Sequence, residues 1–144
     1  MKDEFESILL TVALRYITPF ILVYSVYVLF HGLSVPGGSF QAGGLIGIAV
    51  VLDYLVNKRN AVLFIPNNWA IIIAGGGTFL FIFVGILSML NAGNFLEYSA
   101  LPLAVPDPIR HSIGTIGIEI GVAVCVASTI IVLFNALAFD NGEE

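Results

Sequence analysis

The sequence predicts an all-α integral membrane protein with four transmembrane helices, and three observations carry that expectation. The chain is 58% hydrophobic and only 10% charged over 144 residues, with a mean hydropathy of +1.01. A water-soluble domain of this length covers its core with far more polar surface. The apolar residues fall into four runs, each near or above the ~20 residues a helix needs to cross a bilayer. Those runs are continuously apolar rather than alternating, which excludes a transmembrane β-barrel.

Span one is expected over residues 6–31, span two over 39–57, span three over 69–91 and span four over 109–139, the whole forming a single membrane domain over residues 1–144. The first run is too long for the apolar region of a signal peptide, follows an acidic start (Asp3, Glu4, Glu6) and precedes no small-residue cleavage site, so it is expected to remain as a span. Lys58, Arg59 and Asn60 close span two, and Pro66, Asn67 and Asn68 precede span three. A polar-mixed connection over residues 92–108 carries three prolines, and Pro106 and Pro108 mark the stop before span four. Trp69, Phe95 and Tyr98 fall near expected interfaces, where amphipathic rings prefer to lie. Lys2, Lys58 and Arg59 lie on one side of a four-span chain and Arg110 on the other, which predicts a multi-pass cell-membrane protein with both termini cytoplasmic.

The stretch Pro36-Gly37-Gly38-Ser39-Phe40-Gln41-Ala42-Gly43-Gly44 stands between two spans. It places nearly bare backbone at a membrane boundary, where glycine permits unusual turns and close approach of another chain. Ser39, Gly43 and Gly47 recur every four residues and so share one helix face, as do Gly117, Gly121 and Cys125 in span four. Small faces of this kind let helices pack closely in lipid, and the set is read as a contact motif. Gly75-Gly76-Gly77 is a further site of close approach or flexing. The glycine-rich stretch is no phosphate loop, since it lacks the Lys-Ser/Thr ending.

Charges inside spans are the candidates for chemistry. Arg15 lies ~12 Å along span one counted from Ser7, and Glu119 ~9–15 Å into span four from the opposite face, at ~1.5 Å per residue. A charge at mid-membrane is costly unless paired or hydrated. Arg15 and Glu119 therefore either pair with each other or each meet a partner in another subunit, with Thr11, Thr18 and Thr115 available to share hydrogen bonds. Glu119 is the best proton or cation relay, with a structural carboxyl facing a neighbour as the alternative. Asp53, near the end of span two, reads as an interfacial acid, solvated or paired with a nearby base, or as the mouth of an ion path. Pro19 is expected to kink span one a turn after Arg15.

His31 and His111 stand at span ends and lack the further ligands a metal site requires, so they read as solvated or as groups that exchange protons at the outer surface. Cys125, the single cysteine, excludes an intrachain disulfide. No nucleophile–base pair, haem motif or cofactor loop is present, so no cofactor and no catalysis by the chain alone are expected. Without a basic patch, nucleic acid is not an expected partner.

Residues 9–56 resemble the MnhB-type component of Mrp (Mnh) multisubunit sodium/proton antiporters. The carrying residues are Leu10-Thr11-Val12-Ala13 with Arg15 and Pro19, then His31-Gly32, then the Pro36 to Gly44 motif. Here His31 precedes Gly32 where the family has Gly-His, and Ser39 stands where it has a third glycine. The resemblance implies a four-helix accessory subunit of a hetero-oligomeric complex that moves sodium ions and protons, its partners being the other membrane subunits of the module and lipid. The same module occurs in archaeal membrane-bound hydrogenases and sulfur-reducing complexes, whose redox subunits are further implied partners. A purely structural spacer and an independent homo-oligomeric channel are the competing readings.

Overall fold

The computed structural model describes residues 2–32, 37–57, 61–91 and 93–139. Four α-helices account for most of them: α1 (Lys2–His31), α2 (Gly38–Asn57), α3 (Asn67–Leu90) and α4 (Asp107–Phe139), with one turn of 3₁₀ helix at Tyr98–Ala100. Each contains a stretch long and apolar enough to cross a membrane: Thr11–His31, Gly38–Asn57, Asn67–Leu90 and Asp107–Ala138. Three helices start and stop within two residues of the expected spans. The exception is α1, which begins at Lys2, ahead of residue 6.

The helices stand in the row α1–α2–α4–α3. α1 packs on α2, α2 on α4, and α4 on α3, while α1 touches α4 only marginally. Among the described residues, α2 and α3 do not pack on each other. The last helix in the chain therefore stands between two earlier ones. Each helix reverses direction, which gives the molecule two ends. One holds the α2–α3 connection; the other holds the α1–α2 turn and the α3–α4 connection.

The surface is apolar and the interior is small. Phe20 is 74% exposed and Leu137 79%, whereas Ala42, Ala49, Ala70, Ser25 and Ser88 are wholly buried. This inversion suits a lipid solvent, in which bulky side chains gain nothing by hiding and small ones let helix backbones approach. At the α2–α3 end, Val50, Ala70 and Ile131 form a core cluster with Leu63, Ile65 and Val132 against it. Asn135, 5% exposed on α4, donates its side-chain amide to the Ile65 carbonyl at 3.2 Å, tying the connection to α4.

α4 opens with Asp107 in its first turn, and Pro108 sits where no backbone donor is required. Pro19 lies inside α1 and removes the amide that the Arg15 carbonyl would otherwise accept.

Candidate functional site

Ionisable groups gather at both ends of the row. At the α2–α3 end, Asp53 is half-buried one turn before Asn57 on α2. Its Oδ1 accepts the Asn57 side-chain amide at 2.6 Å, and its Oδ2 accepts the Leu63 backbone N–H at 2.8 Å. The carboxylate thus fastens the α2–α3 connection to α2. Arg15, Thr18, Pro19 and Leu22 of α1 line a cavity of about 180 Å³ together with Asp53, Val56 and Asn57. Arg15 and Asp53 share this cavity without a direct ion pair; among the described residues the ion pair is Arg110–Asp107, at 3.1 Å. The Thr18 hydroxyl is turned back onto its own helix, donating to the Leu14 carbonyl at 2.8 Å. The spacing of Asp53 and Asn57, four apart, was visible in the sequence; Leu63 was not, because a backbone donor ten residues away leaves no side-chain signal.

Truncating Asp53 to alanine is expected to leave the Leu63 N–H and the Asn57 amide unmatched, costing about 1–3 kcal/mol. A lowered thermal midpoint of the detergent-purified protein checks this, with Asp53→Asn, which keeps one acceptor, falling less.

At the other end, the α3–α4 connection is a folded cap rather than a loose link. Phe95 lies against Gly85 and meets Phe81 edge-on at 6.4 Å between ring centres. The Ser88 hydroxyl stands between the carbonyls of Gly85 and Asn94, at 2.8 and 3.0 Å. Leu96 adopts a left-handed φ of 65°, uncommon for a side chain of its size. That turn is closed by Glu97, whose carboxylate accepts the Asn94 backbone N–H at 2.8 Å and its side-chain amide at 3.0 Å. The same two donors hold the Glu97 carboxyl below its ordinary pKa. Arg110 clamps the cap to α4, donating to the Ser99 carbonyl at 2.7 Å and the Val105 carbonyl at 3.0 Å. In the sequence Arg110 was only a charge to be counted for orientation.

The cap sets Tyr98 on α4. Its ring rests against Gly114, where an added β-carbon would lie 2.6 Å from it, and meets the His111 ring edge-on at 5.1 Å. Burial first, and the negative charge of Glu119 second, push the Tyr98 hydroxyl above the ordinary tyrosine value. Glu119 itself is half-buried ~18 Å along α4 from Asp107. His111, Thr115 and Glu119 follow at four-residue steps and share one face. Thr115 donates its hydroxyl to the His111 carbonyl at 3.0 Å, which leaves the Thr115 oxygen free to accept. No described residue donates a hydrogen bond to Glu119. Arg15 and Glu119 are not brought together: they lie on α1 and α4, helices that barely meet.

The small faces are used between helices of this chain. A β-carbon on Gly43 would lie 2.5 Å from the Ala123 carbonyl oxygen, and one on Gly47 2.9 Å from Ile130 Cβ. On the far side of α4, Gly77 meets Cys125 N and Gly121 O, each at 2.7 Å by the same construction, and the Thr78 hydroxyl lies 3.2 Å from the Cys125 sulfur. Gly117 faces Val84 of α3. Gly32 and Gly38 bring α1 and α2 together. Gly37 takes a φ of +101° and, like Gly44, Gly75 and Gly76, faces open space. Ser39 is half-buried and Phe40 is exposed. Pro36, Lys58 and Arg59 lie outside the described residues. His31 stacks on Tyr27 at 5.5 Å and borders a cavity of about 200 Å³ with Gln41 and Gly38.

Four apolar helices with charge built into their spans define a small multi-pass membrane protein. A family model described as a domain related to the MnhB subunit of Na+/H+ antiporter matches residues 9–132, well beyond the residues that carried the resemblance, and the chain belongs to this family. It is 30% identical over 134 residues to the Na(+)/H(+) antiporter B-type subunit of Alkalihalophilus pseudofirmus, covering 87% of this chain and 92% of that protein. The Bacillus subtilis protein of the same name is 26% identical over 138 residues, covering 90% of this chain and 96% of its own length. No solved structure gives a match.

Proposed function

We propose that this chain is an accessory membrane subunit of an Mrp-type multisubunit sodium/proton antiporter, serving both assembly and ion translocation. Family membership and the likeness to two antiporter subunits support the antiporter reading. The observation that carries the translocation role is Glu119, a carboxyl near the middle of a span that accepts no hydrogen bond from any described residue. An intramembrane acid marks a functional site by default, and one without such a partner has its oxygens open to a proton or cation. Asp53, by contrast, has donors on both oxygens, and we assign it to holding the α2–α3 connection beside Arg15. Gly43, Gly47 and Gly121 set the helix spacing, and the exposed Phe40 and open Gly44 are left for contact with neighbouring subunits. We place both termini in the cytoplasm on the bias of Lys2, Lys58 and Arg59 against Arg110.

Purification of the tagged chain from its native membranes in mild detergent tests this reading. Long antiporter-like subunits are expected to come with it. Additional nickel–iron or iron–sulfur subunits identify a redox-driven parent complex. Recovery of the chain alone from intact membranes overturns the proposal.

A further inference from the structure

Beyond the groups already assigned, the molecule holds an apolar cleft between α2 and α3, the polar cavity next to His31 and the cap on α4. The cap is far more ordered than a connection requires. Arg110, Ser88, Glu97, the left-handed Leu96 and the Phe95–Gly85 contact all fix a single turn, and that turn delivers one side chain, Tyr98, onto α4. The face it lands on is a stripe of proton-exchanging and hydroxyl groups. His111 is exposed, Thr115 and Glu119 are half-buried, and each follows the last by one helical turn. Gly114 supplies the space in which the Tyr98 ring lies against this stripe.

We propose that His111 and Tyr98 form the proton-access route to Glu119 from the α3–α4 end, with His111 at the water-facing mouth and the Tyr98 hydroxyl as the step between. This rests on Glu119 being the ion-carrying group. The route serves protons rather than sodium ions. Its members, an imidazole, a phenol and a carboxyl, are groups that give up and take protons. In one passage, the His111 imidazolium releases its proton inward and returns to neutral imidazole. The Tyr98 oxygen accepts a proton as its own moves on, ending as the phenol. Glu119 gains one proton and loses its charge. An imidazole suits the mouth because it has two ring nitrogens and can take up a proton on one as it gives up a proton from the other. The raised pKa of Tyr98 keeps the phenol protonated between passages. The titratable groups facing Tyr98 are His111 and Glu119 from α4 and its neighbour Glu97, whose carboxylate is occupied by Asn94 and Ser99. α3 contributes no titratable side chain.

The test uses the intact complex in everted membrane vesicles, following sodium-driven proton movement. Tyr98→Phe keeps the ring on Gly114 and removes only the hydroxyl. It is expected to slow proton movement at least about tenfold, leave the KM for sodium unchanged and raise the solvent deuterium isotope effect, because proton delivery becomes limiting. His111→Gln, on an exposed side chain, is expected to slow proton movement to a similar extent. A Tyr98→Phe complex with wild-type rate and isotope effect overturns the route. If Tyr98→Phe fails to assemble, the rate of His111→Gln decides, and a wild-type rate overturns the route. Glu119→Gln separates the two claims. Inactive Glu119→Gln alongside normal Tyr98→Phe removes the route and keeps Glu119 as carrier; normal Glu119→Gln removes both.

Discussion

Replacing Glu119 with glutamine is expected to lower sodium-driven proton movement by about 10²-fold, the scale on which a positioned proton-transfer group acts, while the complex still assembles. Glutamine keeps the size and hydrogen-bonding capacity of the side chain and removes only its ability to exchange a proton. Burial does not argue against the change, because Glu119 is only half-buried and accepts no bond from any described residue that the substitution would break. Glu119→Asp is expected to restore part of the activity, since the titrating group returns one carbon shorter. The measurement is the rate of dissipation of an imposed pH gradient on adding sodium, normalised to the amount of complex in the vesicles. Wild-type rates in Glu119→Gln leave the spacer reading in possession of the field.

The second large effect is structural. Gly43→Ala places a methyl group 2.5 Å from the Ala123 carbonyl oxygen and 3.0 Å from Ala123 Cα. Both are backbone atoms of α4, which move only if the whole helix moves. Overpacking of this kind costs about 1–3 kcal/mol, and leucine at the same place costs more. Gly44→Ala is the matched control: nothing lies within 4 Å of the position, and alanine is the better helix former. The expected result is that Gly43→Ala lowers the thermal midpoint of the detergent-purified chain while Gly44→Ala leaves it unchanged. Equal behaviour of the two variants refutes the close α2–α4 crossing.

Much of the frame was legible in the amino-acid sequence. Helix number and all boundaries but one followed from the apolar runs, because in a membrane the thickness of the solvent sets the length of the element. The four-residue recurrence of Gly43 with Gly47, and of Gly117 with Gly121, marked faces that pack helices together. What did not follow was which face meets which helix. Arg15 and Glu119 were natural partners by charge, but partnership depends on the row order, and nothing in one-dimensional spacing says that α1 packs on α2 and barely meets α4. The cap was hidden for a related reason. Its locks are backbone carbonyls accepting from Arg110 and Ser88, and carbonyls are present at every position of a sequence. Tyr98 was noted only as an interfacial ring; its seat on Gly114 required knowing that the connection folds back.

The row order also bears on how the protein is made. α4 is synthesised last, yet it occupies the slot between α2 and α3. Among the described residues α2 and α3 share no contact of their own, so without α4 the small faces at Gly43, Gly47 and Gly77 lack their partner. Its entry closes both ends at once. Arg110 near its start latches the cap on one side of the bilayer, and Asn135 near its far end latches Ile65 on the other. A chain halted before α4 thus leaves the α1–α2 pair and α3 unjoined.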